Sequence, residues 1–278
     1  MDVSVVVCAK NAERTIEECL ESVRMNNPFE IIVIDDGSTD KTAEISRKFT
    51  SHIYSNDGGG LPRARQLGAE MASGSYIFYV DSDVILTKDC LQTMMREMKA
   101  NGYSGIHAQV LGAEDGGYWG WAEDQRFRMR FNRVGEAPYI ATMAAIFERD
   151  VILKYQFDPF FTMSVEDGDL CYRLRKAHFK FGISSAFVYH RHRATAAAFI
   201  KQRVRYGKGS ARFFWKHRSL VSLLGASAQL PFGIFVCIKQ RSVRMLPYYL
   251  VWSTVGTYGT LTEIATLTFR KLVPDIPK

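Results

Sequence analysis

Cysteine patterning is missing from this 278-residue chain. Its five cysteines, Cys8, Cys19, Cys90, Cys171 and Cys237, form no CxxC and are odd in number. That argues against a zinc site or a disulfide framework and for reduced, mostly buried thiols in a cytosolic compartment. No basic segment precedes the first apolar run, because Met1-Asp2 leads straight into residues 3–8, so no signal peptide is expected. Internal repeats and low-complexity tracts are absent as well, which excludes repeat architectures. Acidic residues almost vanish from the C-terminal quarter: residues 201–278 hold 13 Lys+Arg against 2 Asp+Glu, a net of +11, while residues 1–200 hold 23 against 27, a net of −4. A nucleic-acid binder would carry its basic face on the folded domain with aromatics interleaved. Here the basic charge flanks two long apolar segments, which points away from nucleic acid and towards a membrane surface with anionic lipids.

What is present is a globular α/β pattern. With 47% hydrophobic residues the chain can bury one large core with something appended. Apolar strand patterns at 3–8, 30–34, 52–54 and 76–80 alternate with helical periodicity at 13–25, 40–49, 61–72 and 88–99, which predicts a parallel, doubly wound sheet. Residues 102–187 are mixed, with strands near 105–111 and 139–147 and a helix at 169–177. Residues 196–218 read as a basic amphipathic helix at a membrane interface, with Phe199, Phe213 and Phe214 towards lipid. Residues 219–238 run without a charge, and 245–269 carry one acid, Glu263. Both are long enough to span a bilayer; buried helices on the domain, or shallow re-entrant insertion, stay open. If both span, the flanking cations place domain 1–195 in the cytoplasm.

Four clusters carry the chemistry. Asp81 and Asp83 close the strand at 76–80 one residue apart and would share a face if the strand continued. There they form a pair of hard oxygen ligands for Mg²⁺ or Mn²⁺ shared with phosphates; the alternative is a solvated turn with Asp83 capping the next helix. Asp35-Asp36-Gly37-Ser38-Thr39-Asp40 follows the strand at 30–34, where a carboxylate can accept from a base N–H, or simply close a capped turn. Gly58-Gly59-Gly60-Leu61-Pro62-Arg63-Ala64-Arg65 offers backbone N–H groups and guanidinium forks to a phosphate. Glu166-Asp167-Gly168-Asp169 opens a helix: one acid, Asp169 or Asp167, can cap it, and three exceed what capping needs, which leaves one for general-base work.

In this order, and together with Val5-Val6-Val7-Cys8-Ala9-Lys10-Asn11-Ala12-Glu13 and Pro62-Arg63-Ala64-Arg65-Gln66-Leu67-Gly68, the motifs resemble those of family 2 glycosyltransferases with the GT-A fold over residues 1–195. Gln202-Arg203-Val204-Arg205-Tyr206 is similar to the QxxRW element of cellulose-synthase-like members, with tyrosine for tryptophan. The resemblance implies that Asp35 and Asp36 contact the nucleotide base and ribose, with Ala9, Asn11 and Glu13 lining the same pocket. It implies Arg65 near the base or diphosphate, Asp83 on the metal, and Asp81, beside Ser82, on ribose or donor sugar and near the metal. Asp167 becomes the base and Glu166 its acceptor-side neighbour. Gln202, Arg205 and Tyr206 serve the acceptor and leaving diphosphate. His190 lies where some such enzymes supply a metal or phosphate ligand; a satisfied core or surface histidine is the alternative.

The expectation is therefore an inverting, Mn²⁺- or Mg²⁺-dependent hexosyltransferase at the cytoplasmic membrane face. A sugar hydroxyl needs a base and a polyprenyl phosphate does not. The acid pair thus favours a lipid-linked (polyprenol or dolichol) saccharide acceptor, with GDP-mannose ahead of UDP-hexoses by analogy with the dolichol-pathway mannosyltransferases of glycan assembly. A polyprenyl-phosphate hexose synthase, a UDP-hexose polysaccharide transferase, a nucleotidyltransferase using Lys10 and an inactive membrane scaffold are the alternatives.

Overall fold

The computed structural model describes residues 2–113, 116–162, 164–192 and 194–272. The chain runs β1 (Val3–Ala9), α1 (Ile16–Met25), β2 (Glu30–Asp35), α2 (Thr42–Ser46), β3 (Ile53–Ser55), α3 (Leu61–Met71), β4 (Tyr76–Asp81), β5 (Val84–Leu86) and α4 (Cys90–Asn101). It continues with β6 (Gly105–Gly112), α5 (Gly117–Phe131), β7 (Gly135–Ala137), β8 (Ala144–Glu148), α6 (Arg149–Tyr155), α7 (Glu166–Lys176) and β9 (Phe181–His190). Four helices follow: α8 (Ala196–His217), α9 (Leu220–Leu224), α10 (Gln229–Gln240) and α11 (Leu246–Leu272). Two compact units result: Met1–Asp115, Glu123–Thr162 and Glu166–His192 form the first, and Gly116–Ala122, Met163–Val165 and Arg193–Lys278 the second.

In the first unit β1, with four valines among seven residues, is buried on both faces, as a central parallel strand requires. One apolar cluster joins Val3, Val5 and Val7 to α1 and α4, and another joins Val6 to α3, α6 and α7. In α1 the buried positions are Ile16, Cys19, Leu20 and Val23, the stripe that helical periodicity dictates. This helix starts three residues later than its periodicity suggests. Ala12 and Glu13 donate their backbone N–H groups to Thr42 and Asp40 instead of entering a helical turn.

The strand order is β3-β2-β1-β4-β8-β6-β9-β5, with β7 on β9. The sheet is mixed, where a mostly parallel one was expected. β3, β2, β1 and β4 are parallel neighbours, as are β6 and β9. β8 lies antiparallel to β4 and β6, and β5 and β7 antiparallel to β9. Only Ser82 and Asp83 separate β4 from β5, too few for the crossover of a dozen or more residues that a parallel return beside β4 needs, and β5 pairs with β9 instead. The strand expected at 139–147 begins only at Ala144, and α5, α6, β7 and β9 fill the segment that read as mixed.

The second unit corrects the expectation of two membrane-spanning helices at 219–238 and 245–269. Among the described residues no helix is long and apolar enough to cross a membrane. The charge-free run at 219–238 breaks at a turn over 225–228 into α9 and the twelve-residue α10. At 1.5 Å per residue α10 reaches about 18 Å, short of the ~30 Å hydrocarbon core. α11 has the length, but six threonines, Ser253, Gly256, Gly259 and Glu263 interrupt its apolar sequence. Glu263 is buried and ion-paired with buried Arg212 at 2.8 Å, which ties α11 to α8. The two helices approach closely: a Cβ on Gly207 would stand 2.0 Å from the Gly256 carbonyl oxygen, and one on Gly259 would stand 2.4 Å from that of Val204. Phe199 also departs from the lipid-facing position expected of it. It is 1% exposed, stacked on Trp119 and packed on Tyr248.

Candidate active site

Parallel pairing of β1 with β2 and β4 fixes the site's frame. Ala9 stands beside Asp35, and Cys8 beside Asp81, so three strands end level at one edge of the sheet. The loop after β2 folds back on the loop after β1. Asn11 accepts from the Thr39 N–H at 2.8 Å and gives its own N–H to Ser38 at 3.0 Å; Glu13 takes the Lys41 N–H at 3.4 Å. Asn11 holds a φ of +51°, uncommon outside glycine. Asp35 accepts from the Ser38 N–H at 3.0 Å. Asp36 is buried and accepts from Asn56 Nδ2 at 2.5 Å and the Gly60 N–H at 2.9 Å, with Lys10 Nζ at 3.5 Å. The glycine-rich turn therefore wraps a carboxylate of the protein rather than presenting that N–H to a phosphate. Gly60 at φ +88° is what allows the approach.

Arg65 is likewise turned inward. It is 3% exposed and bridges two carboxylates, with Nη2 donating to Asp81 at 2.9 Å and Nη1 to Glu166. Tyr79 donates its hydroxyl to the Arg65 carbonyl and steadies the helix that carries it. One guanidinium faces two acids, so a negative charge is left over. Burial, only partly opposed by Arg65, pushes the Glu166 carboxyl up to about 7.

β4 stops at Asp81, and Ser82 and Asp83 form a turn, so the two acids do not continue one strand. Asp83 Oδ1 instead lies 3.4 Å from Nε2 of His190, at the end of β9 and paired with Val84. His190 Nδ1 is 2.8 Å from His192 Nδ1. Burial disfavours charge on His190, but the Asp83 carboxylate outweighs it and raises the group, while burial and its neighbour push His192 down to about 4. Among the described residues no three metal-binding side chains converge, and Asp81 is paired with Arg65. The donor chemistry still fits a hard divalent ion: a carboxylate and an imidazole face each other, and such ions complete their shells with substrate phosphate oxygens.

The three acids of α7 take different duties. Asp169 is fully buried and paired with Arg173 at 2.8 Å, four residues on, so it braces the helix side instead of capping its end. Glu166 is held by Arg65. Asp167 is half-buried, accepting the Tyr139 hydroxyl at 2.7 Å and the Gly168 N–H at 2.7 Å. Burial and the Asp167 charge raise the Tyr139 phenol well above its ordinary value, so it remains a donor. Val165, just before this helix, has φ +70°, a strained setting for a β-branched residue. Tyr139, Asn56 and His192 were not foreseen; His192 had a signal in the His-x-His spacing, the other two had none.

Gln202, Arg205 and Tyr206 lie on α8 in the second unit. Arg205 is exposed, Gln202 accepts from Arg203, and Tyr206 lies under the Arg203 guanidinium at 4.6 Å.

The model for Glycosyl transferase family 2 matches residues 4–156, and the chain belongs to that family. Glycosyltransferase GlyG of Streptococcus pneumoniae is 32% identical over 105 residues, 35% of this chain and 35% of that protein; the matched stretch is thus about a third of each. Among solved structures, S. aureus TarS 1–349 in complex with UDP-GlcNAc is similar with a TM-score of 0.59 at 15% identity, over 100% of this chain and 93% of that one. The mannosyltransferase PcManGT from Pyrobaculum calidifontis, in complex with GDP-Man and Mn²⁺, gives 0.63 at 14% identity over 99% and 88%. At such identities the likeness is one of fold, the GT-A α/β architecture.

Proposed function

We propose that the chain transfers a hexose from a nucleoside diphosphate sugar to a hydroxyl of a lipid-linked saccharide, with inversion at the anomeric carbon. Asp167 carries the reading. Of three acids in one helical turn it alone has, among the described residues, no arginine across it, and it is half open where Glu166 and Asp169 are buried. In the reaction Asp167 takes the proton of the acceptor hydroxyl as that oxygen bonds to the anomeric carbon. The bond from that carbon to the diphosphate oxygen breaks, and the nucleoside diphosphate departs with the electron pair. Tyr139 orients the carboxylate without competing for its proton. A divalent cation held by Asp83 and His190 would supply charge neutralisation for the leaving group. Asp35, Asp36, Asn11 and Glu13 line the base and ribose side of the donor.

GDP-mannose is the first donor to try, in view of PcManGT with GDP-Man, and UDP-GlcNAc the second, in view of TarS. The test is product stereochemistry by NMR with wild-type protein and Asp167→Asn. Inverted product, lost in the variant while donor binding survives, supports the reading; retention of configuration overturns it.

A further inference from the structure

The geometry points to a lipid-docking surface on the second unit, one that lies in the plane of an anionic membrane and does not cross it. Glycosyl transfer explains none of the following. On α11 the outward face runs Leu250, Thr254, Tyr258, Leu261, Ala265 and Phe269, spaced by three or four residues and exposed throughout, so one stripe of the helix is apolar and uncovered. α10 buries Gly233, Val236 and Cys237 and turns its larger apolar side chains outward, with Phe235 60% and Ile238 71% exposed. On α9 Val221 is 82% exposed. Water-facing sides of helices are ordinarily polar; here they are the apolar sides, and that marks a covered surface.

Charge selects what covers it. Lys216 and Arg218 precede α9, Lys239, Arg241 and Arg244 lie at the α10–α11 connection, and Arg270 and Lys271 end α11; all seven are exposed. Cations thus bracket each apolar face, placed to reach phosphate headgroups while the face enters the acyl boundary. Glu263 is the one acid among residues 194–272 and is consumed by Arg212. A second copy of the chain would bring like charge to like. Anionic lipid supplies the missing sign. The short α10 and polar-interrupted α11 make the mode a shallow one.

The full chain should float with phosphatidylcholine vesicles containing phosphatidylglycerol, bind pure phosphatidylcholine at least about ten-fold less, and lose binding as salt rises. Phe235→Glu with Ile238→Glu should cut flotation at least about ten-fold, with turnover on a soluble sugar acceptor and the thermal melt unchanged; a failed donor assay alone would touch the proposed function and not this surface. Should that variant misfold, quenching of wild-type tryptophan emission by shallow-brominated lipid gives the answer instead. No flotation, flotation indifferent to the substitutions, or a dimer that these substitutions dissolve without any vesicle binding would each overturn the proposal. So would retention of the chain in membranes through alkaline carbonate extraction.

Discussion

Arg65→Met tests how the site holds its charge. The guanidinium is the partner of Glu166, 4% exposed, and also faces Asp81. Glu166 is raised by burial to about 7 from an ordinary 4.5. A carboxyl raised on folding binds its proton more tightly in the native state. Its contribution is therefore fully present below about 4.5 and is lost as pH climbs to about 7. Above that value Arg65 stabilises the ionised form and the wild-type curve should flatten. Without Arg65 the proton stays on longer, so the decline continues upward. The stability gap between variant and wild type should thus be modest at pH 6 and widen by about 1.4 kcal/mol per pH unit above 7. It should approach the roughly 3–5 kcal/mol that a broken buried pair costs. Urea unfolding at pH 6, 7, 8 and 9 reads this directly, and adding Glu166→Gln should remove the part of the widening that Glu166 carries, leaving any part carried by Asp81, which Arg65 also faces. A gap that is constant across that range, or a double variant with the same slope as the single one, refutes the reasoning.

Asp167→Asn keeps shape and the Tyr139 contact in reach but removes the base, so turnover should fall about 10²–10⁴-fold with donor affinity near normal; calorimetry beside kinetics separates the two. Asp83→Ala should abolish the Mn²⁺ dependence of nucleoside diphosphate binding, read by thermal shift with and without Mn²⁺, and unchanged dependence would remove Asp83 from the metal. Arg212→Met should destabilise the second unit by about 3–5 kcal/mol by stranding Glu263, and Glu263→Met on top should recover most of it; denaturant melts of both check this.

The N-terminal half of the fold was legible because its signals are local. Strands such as Val3–Ala9 are continuous apolar runs, and helices such as Ile16–Met25 carry their periodicity openly. The later half was not. β8 has the composition of any buried strand, and nothing in Ala-Ala-Ile-Phe-Glu states that it inserts antiparallel between β4 and β6. Strand order there is decided by loop lengths and by which faces find cover, neither of which is written in one segment. The C-terminal helices misled for a related reason. An apolar run counts residues without asking whether the chain turns at 225–228, or whether an acid such as Glu263 meets an arginine 51 positions earlier.

The site shows the same division at the level of single side chains. That Asp35, Asp36, Asp81, Asp83 and the acids of α7 would stand at strand and helix ends was readable from the sequence. Which of them would remain open was not, since that depends on where the arginines go. Arg65 looked like a phosphate fork and is spent on Asp81 and Glu166; Arg173, which no motif singled out, is spent on Asp169. Among the described residues these two pairings leave Asp167 a neutral phenol and a backbone N–H as its hydrogen-bond donors. A base must be oriented and free to accept a proton, and neutral donors secure the first without preventing the second. An arginine there would hold the charge so strongly that proton transfer would be opposed. In the proposed reaction the arginines on either side are thus part of how this aspartate is left open to an acceptor, although among the described residues neither pairs with it.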